Sequence, residues 1–135
     1  MNDKLYAAGG RKTSGVIKQV FNLTIPEVDV FDISNAKWST LPSPQGNLPT
    51  PSAGCFAFTS RGQLLIAGGE STTQNEAHNQ VEALDPATGL WHLHSRFSIG
   101  RHGTGIAQWK DTDLLIAKRF AISETCWQGK ISMPF

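Results

Sequence analysis

The feature that most constrains this chain is that it repeats itself. "KLYAAGG" at 4–10 and "QLLIAGG" at 63–69 each run from a polar residue through a short apolar stretch into a glycine pair, 59 residues apart. "VDVFDISNAKW" at 28–38 returns as "VEALDPATGLW" at 81–91, 53 residues on. "PSAGCFAFTSRGQLLIA" at 51–67 aligns with "RHGTGIAQWKDTDLLIA" at 101–117 at an offset of 50. Three segments that agree in order, residue type and spacing define one unit of 50 to 59 residues, with the differences in length carried by loops. Such a unit buries its apolar surface only by stacking on its neighbours, so the chain must fold as an array.

The local physics of one unit predicts four strands and no substantial helix. "GCFAFT" and "LLIAG" are β-rich runs joined by "SRG", a connection short enough for a tight hairpin. The glycine pair that follows permits backbone angles or close approaches that a side chain forbids. A polar loop leads to the alternating strand "QVEALD", and the turn "PATG" then places Pro86 and Gly89 where a β-turn takes them. The fourth strand opens with Trp91, whose large apolar surface suits packing between sheets. Asp32 and Asp85, at the ends of equivalent strands, are expected to hold the following turns through local hydrogen bonds.

A four-stranded unit of this length with a glycine pair (Gly9-Gly10, Gly68-Gly69), an aspartate-ended strand (Asp32, Asp85) and a tryptophan (Trp38, Trp91) resembles the kelch repeat of β-propellers. The resemblance covers residues 3–117. It implies an all-β fold, a kelch-type β-propeller fragment of four-stranded antiparallel blades that is not closed. Residues 3–41 would form a partial blade (strands at 4–9, 27–33 and 37–41). Residues 51–94 would form a full blade (53–59, 63–67, 80–85 and 90–94), and 101–117 a second partial blade (103–109 and 113–117). Propellers close with about four to eight blades, so nine strands do not complete one. The exposed faces and open blade edges of such an array invite self-association or aggregation.

After Ala117 the repeat stops being readable. "KRFAISETCWQGKISMPF" has no glycine pair and no aspartate, and Trp127 follows Ala117 by 10 residues where Trp91 follows Ala67 by 24. The expectation is an interrupted reading frame near residue 117, a non-repeat tail at 118–135, and a chain that is a fragment of a larger propeller.

Composition narrows the function classes. Twelve basic and eleven acidic residues give a net charge of +1 with no basic run, which gives no footing to a nucleic-acid or acidic-membrane partner. The longest apolar runs are strand-sized, below the ~20 residues of a membrane helix. Residues 1–10 read as strand and turn rather than as a signal series. Cys55 and Cys126 are too few and too far apart for a disulfide framework or a zinc site.

The kelch resemblance also raises enzymes acting on sugars, similar to galactose oxidase or to sialic-acid epimerases. Galactose-oxidase-type copper chemistry takes a tyrosine crosslinked to cysteine, a second tyrosine and two histidines, whereas this chain has the single tyrosine Tyr6. None of those metal ligands carries over, and no cofactor is expected. His92 and His94 share one strand face at i and i+2 but lack a third ligand nearby, so no metal site is assigned. No phosphate-cradling, zincin or nucleophile-elbow motif occurs.

Topology points further than motifs do. In an up-and-down blade the second-to-third-strand loops and the blade-to-blade connections emerge on one face, here 10–26, 68–79, 42–52 and 95–102. They are the long, variable connections, and long loops on a rigid scaffold carry recognition. The candidate binding residues on that face are Arg11, Glu70, Asn75, His78, Arg101 and His102, with Arg101-His102 opening an inner strand near a central channel. The leading expectation is a non-catalytic binding module for a protein or carbohydrate ligand. The alternative is a remnant of a kelch-type sugar enzyme.

Overall fold

The computed structural model describes residues 3–13, 16, 23–109, 112–116 and 126–129, with side chains through residue 107. The expected break after Ala117 falls outside the described residues. Ten strands follow one another: β1 (Lys4–Ala8), β2 (Val28–Asp32), β3 (Lys37–Thr40), β4 (Phe56–Ser60), β5 (Gln63–Ala67), β6 (Gln80–Asp85), β7 (Leu90–Arg96), β8 (Gly105–Trp109), β9 (Thr112–Ile116) and β10 (Cys126–Gly129). They form three antiparallel sheets in the orders β1-β2-β3, β4-β5-β6-β7 and β10-β9-β8. No helix occurs among the described residues, and no sheet closes on itself. The fold is all-β and open.

The middle sheet is buried on both faces because its strands are apolar at consecutive positions. Successive side chains of a strand point to opposite faces. On β5 and β6, Leu64, Ile66 and Leu84 therefore point one way and pack with Val28 of the first sheet and with Leu48. Leu65, Ala67, Val81 and Ala83 point the other way and pack with Phe56, Phe97 and Ile106 toward the third sheet. Each fully buried Leu contributes about 1.5–3 kcal/mol, so stacking between sheets is the main source of stability.

Local chemistry fixes the turns. The β4–β5 hairpin closes on Ser60 opposite Gln63 with Arg61 and Gly62 both at positive φ (49° and 78°), the primed turn that matches strand twist. At the ends of β2 and β6, Asp32 Oδ1 accepts the Ser34 N–H and Asp85 Oδ1 accepts the Ala87 N–H, each at 2.9 Å. The two turns then take equivalent left-handed residues, Ala36 at φ 56° and Gly89 at φ 71°.

The glycine pairs sit where the chain returns to start the next sheet. The N–H of Gly10 donates to the Ser52 carbonyl at 2.8 Å, and that of Gly69 donates to the Arg101 carbonyl at 2.7 Å. A side chain on Gly68 would meet the Arg101 carbonyl oxygen at 2.4 Å, so the close approach requires its absence.

One feature differs from the sequence reading. The shared "LLIA" predicts equivalent hairpins at an offset of 50, yet β4–β5 closes on Ser60 and Gln63 and β8–β9 on Trp109 and Thr112, an offset of 49. The two stretches are thus one residue out of step in their pairing, because the hairpin turn and not the recurring tetrapeptide sets the register. Within the tail, Cys126–Gly129 supplies β10, which pairs antiparallel with β9. It needs neither glycine pair nor aspartate, since backbone hydrogen bonding to an open edge is indifferent to side chain.

Candidate functional site

Three of the residues expected on the loop face come together. Glu70 follows the glycine pair after β5, Arg11 follows the pair after β1, and His102 precedes β8, so each lies in a connection next to a different sheet. Arg11 Nη1 lies 3.2 Å from Glu70 Oε1, and His102 Nδ1 lies 3.6 Å from Glu70 Oε2. All three side chains keep about a third of their surface exposed, at 32%, 32% and 34%.

Backbone bonds hold this junction. Ala53 and Glu70 exchange two hydrogen bonds, at 2.9 and 2.8 Å, which fixes the start of the carboxylate's stem against the chain entering β4. Gly103 N–H donates to the Gly54 carbonyl at 2.8 Å, bringing the approach to β8 alongside the approach to β4. Arg101 N–H donates to the His78 carbonyl at 3.0 Å. The side chains themselves contribute little stability, since an exposed ion pair is worth about 0–1 kcal/mol. A carboxylate held between a guanidinium and an imidazole, on fixed backbone and open to water, offers donors and acceptors to a polar ligand instead.

The other three candidates are placed differently. Asn75 is exposed in the 68–79 loop. Arg101 is half-buried, its carbonyl used by Gly69. His78 is only 1% exposed, with Nε2 2.9 Å from Ser71 Oγ and its N–H bonded to the Gly69 carbonyl at 2.8 Å. Burial holds its imidazole below the usual histidine range, against a smaller opposing pull from Glu82 and Glu70. It is therefore a neutral brace of the loop rather than a surface contact. Loop residues of this kind look alike in sequence, and only the fold of the loop decides which of them turns inward.

One of the acids in the repeated aspartate-ended strands, Glu82, is a buried carboxylate with a structural role. Glu82, on β6, is 7% exposed and accepts the Thr50 hydroxyl at 2.6 Å and the Thr50 N–H at 3.2 Å. It shares with Asp29 the second position of the aspartate-ended strands. His92 and His94 have ring centroids 6.3 Å apart on β7, where a register shift opposite Val81 and Glu82 disturbs the alternation. Among the described residues no group of three or more His, Cys, Asp or Glu is placed to hold a metal ion.

Compared with known proteins, the chain matches no family model and no curated sequence.

Proposed function

We propose that this chain is part of a kelch-type β-propeller and acts as a non-catalytic binding module, recognising a protein or glycan through the loop face around Glu70. The kelch reading rests on the repeated glycine pair, aspartate-ended strand and tryptophan, and on an antiparallel meander that recurs with loops of different length. Because the sheets remain open, the proposed ring takes further sheets beyond those of this chain. The observation that carries the binding role is the bridging of Arg11 and His102 by one carboxylate where three sheets meet. A polar, adaptable cluster on rigid backbone, contributing little to stability, is the arrangement expected of a recognition surface.

The test is a panel of immobilised glycans and peptides probed with the full chain, with Arg11→Ala and with Glu70→Gln. Binding that falls about tenfold or more in both variants, with unchanged circular dichroism, supports the reading. Binding that ignores both substitutions refutes it. Sugar turnover lost in Glu70→Gln would refute the non-catalytic role.

A further inference from the structure

The loop between β5 and β6 closes on itself at a neck, and one histidine holds the neck. His78 N–H donates to the Gly69 carbonyl at 2.8 Å, so the two ends of the 70–77 loop touch. Across the same neck His78 Nε2 lies 2.9 Å from Ser71 Oγ, and Ser71 Oγ lies 2.9 Å from Thr73 Oγ1. The His78 carbonyl accepts the Arg101 N–H at 3.0 Å, and the Gly69 N–H donates to the Arg101 carbonyl at 2.7 Å. The neck is thereby tied to the connector that enters β8.

The imidazole fits this position only when neutral. It is 1% exposed, and Nδ1 is buried with no bonding partner among the described residues. A neutral ring carries one N–H, and the Ser71 hydroxyl pairs with Nε2 as donor or acceptor. An imidazolium carries two N–H donors, and the second would be a buried charged donor facing no acceptor. The charged groups around the ring do not supply one. Glu82 on β6 accepts the Thr50 hydroxyl and N–H, and Glu70 at the head of the loop faces Arg11 and His102. Arg101 meets His78 through its backbone. The pull of the two glutamates is smaller than the cost of burial, which holds the ring's affinity for a proton below the ordinary.

We propose that His78 is an acid-sensitive latch, whose protonation opens the neck and frees residues 71–77 while the sheets stay assembled. Ala53 holds Glu70 by two backbone bonds, so the release starts at Ser71 and carries the exposed Asn75 with it. The sheets do not depend on the latch, because their stacking rests on the apolar rows of β5 and β6. Opening removes one flank of the loop face, and only its effect on a ligand rests on the binding role proposed above. The latch is shut above about pH 6.5, the ordinary histidine value, and weakens as pH falls below it. Between about pH 7.5 and about pH 5 an open loop gains up to about thirtyfold over a closed loop that stays neutral.

The experiment measures amide hydrogen exchange in the full chain, as protection factors at those two pH values. The His78 and Arg101 amides report the neck, and the β5–β6 amides report the sheet. Neck protection should fall at least about tenfold at acid pH and stay at least about tenfold below that of the sheet. In His78→Gln, which keeps a donor for Ser71 but does not titrate, the fall should shrink to under about threefold. Ser71→Ala should lower neck protection about fivefold at both pH values, the worth of one hydrogen bond. An equal fall in wild type and His78→Gln overturns the latch, as does loss of the fall in Glu70→Gln, which would place its source at Glu70. Equal protection of neck and sheet at acid pH also overturns it, by showing that the chain unfolds as a whole. The His78 ring of the wild type gives a readout that needs no variant. An NMR titration midpoint below 6.5 that tracks neck protection supports the latch, and a midpoint at or above 6.5 with the neck closed refutes it. These readouts contain no ligand, so failure of the binding panel leaves them unchanged.

Discussion

The glycine pairs allow one physical argument to be tested against an internal control. Gly10 and Gly69 are the second members of equivalent pairs and have nearly the same backbone angle, φ +97° and +102°. They differ in crowding. A Cβ on Gly10 meets nothing within 4 Å, whereas one on Gly69 meets Ser52 Cβ and Oγ at 2.8 Å and the Ala53 carbonyl oxygen at 2.9 Å. Changing either to alanine forces an L-residue into the left-handed region, which costs about 1–2 kcal/mol, offset by about 0.4–1 kcal/mol from a stiffer unfolded chain. Gly10→Ala should therefore destabilise by about 1 kcal/mol. Gly69→Ala adds overpacking, typically about 1–3 kcal/mol, against an oxygen already committed to the Ala53–Glu70 bridge. The expected gap between the two variants is about 2 kcal/mol, near thirtyfold in the folding equilibrium. Urea unfolding followed by tryptophan fluorescence reads it as a difference in midpoint at constant slope. Equal midpoints would show that the pair serves only backbone conformation, and the close-approach argument would fall.

Three further outcomes follow from single residues. Ala36 holds a left-handed turn position that Gly89 fills in the next unit, so Ala36→Gly should stabilise by about 0.5–1 kcal/mol and raise Tm by about 3 °C; a lower Tm would contradict the strain assigned to it. Thr50→Val removes the hydroxyl that donates to the buried Glu82 carboxylate and should destabilise by about 1–3 kcal/mol in the same urea assay; an unchanged midpoint would refute a stabilising role for that bond. His78 is held neutral below the ordinary histidine value of 6.5, so the native state binds fewer protons than the unfolded state below that pH. Stability is then full above about pH 6.5 and declines as pH falls below it. Urea midpoints from pH 7 to 5 should drop less steeply in His78→Gln, and an identical slope would remove His78 as a source. His94, also lowered by burial with His92 and Arg61 beside it, accounts for part of what remains.

Whatever depends on neighbours along the chain is legible in the amino-acid sequence alone. Strand runs, the two-residue hairpin at Arg61-Gly62, the aspartates that bond the N–H two residues on, and the glycine pairs are all set by local sterics and local hydrogen bonds. Repetition adds the order of the units, since equivalent residues recur in equivalent turns.

The rest comes from the packing of sheet on sheet, because burial depends on what lies across the gap and not on the residue itself. Trp38 and Trp91 are the same residue in the same strand position, yet one is mostly exposed and the other donates its indole N–H to Gly46, since only the second has a connector lying over it. His78 and His102 are both loop histidines, but the fold turns one into the interior against Ser71 and leaves the other beside Glu70 in solvent. The meeting of Arg11, Glu70 and His102 is legible in sequence only as a shared face. Their contact requires three sheets to stack, and stacking is fixed by the apolar rows of Leu64, Leu65, Ile66 and Leu84 rather than by the charged residues it brings together.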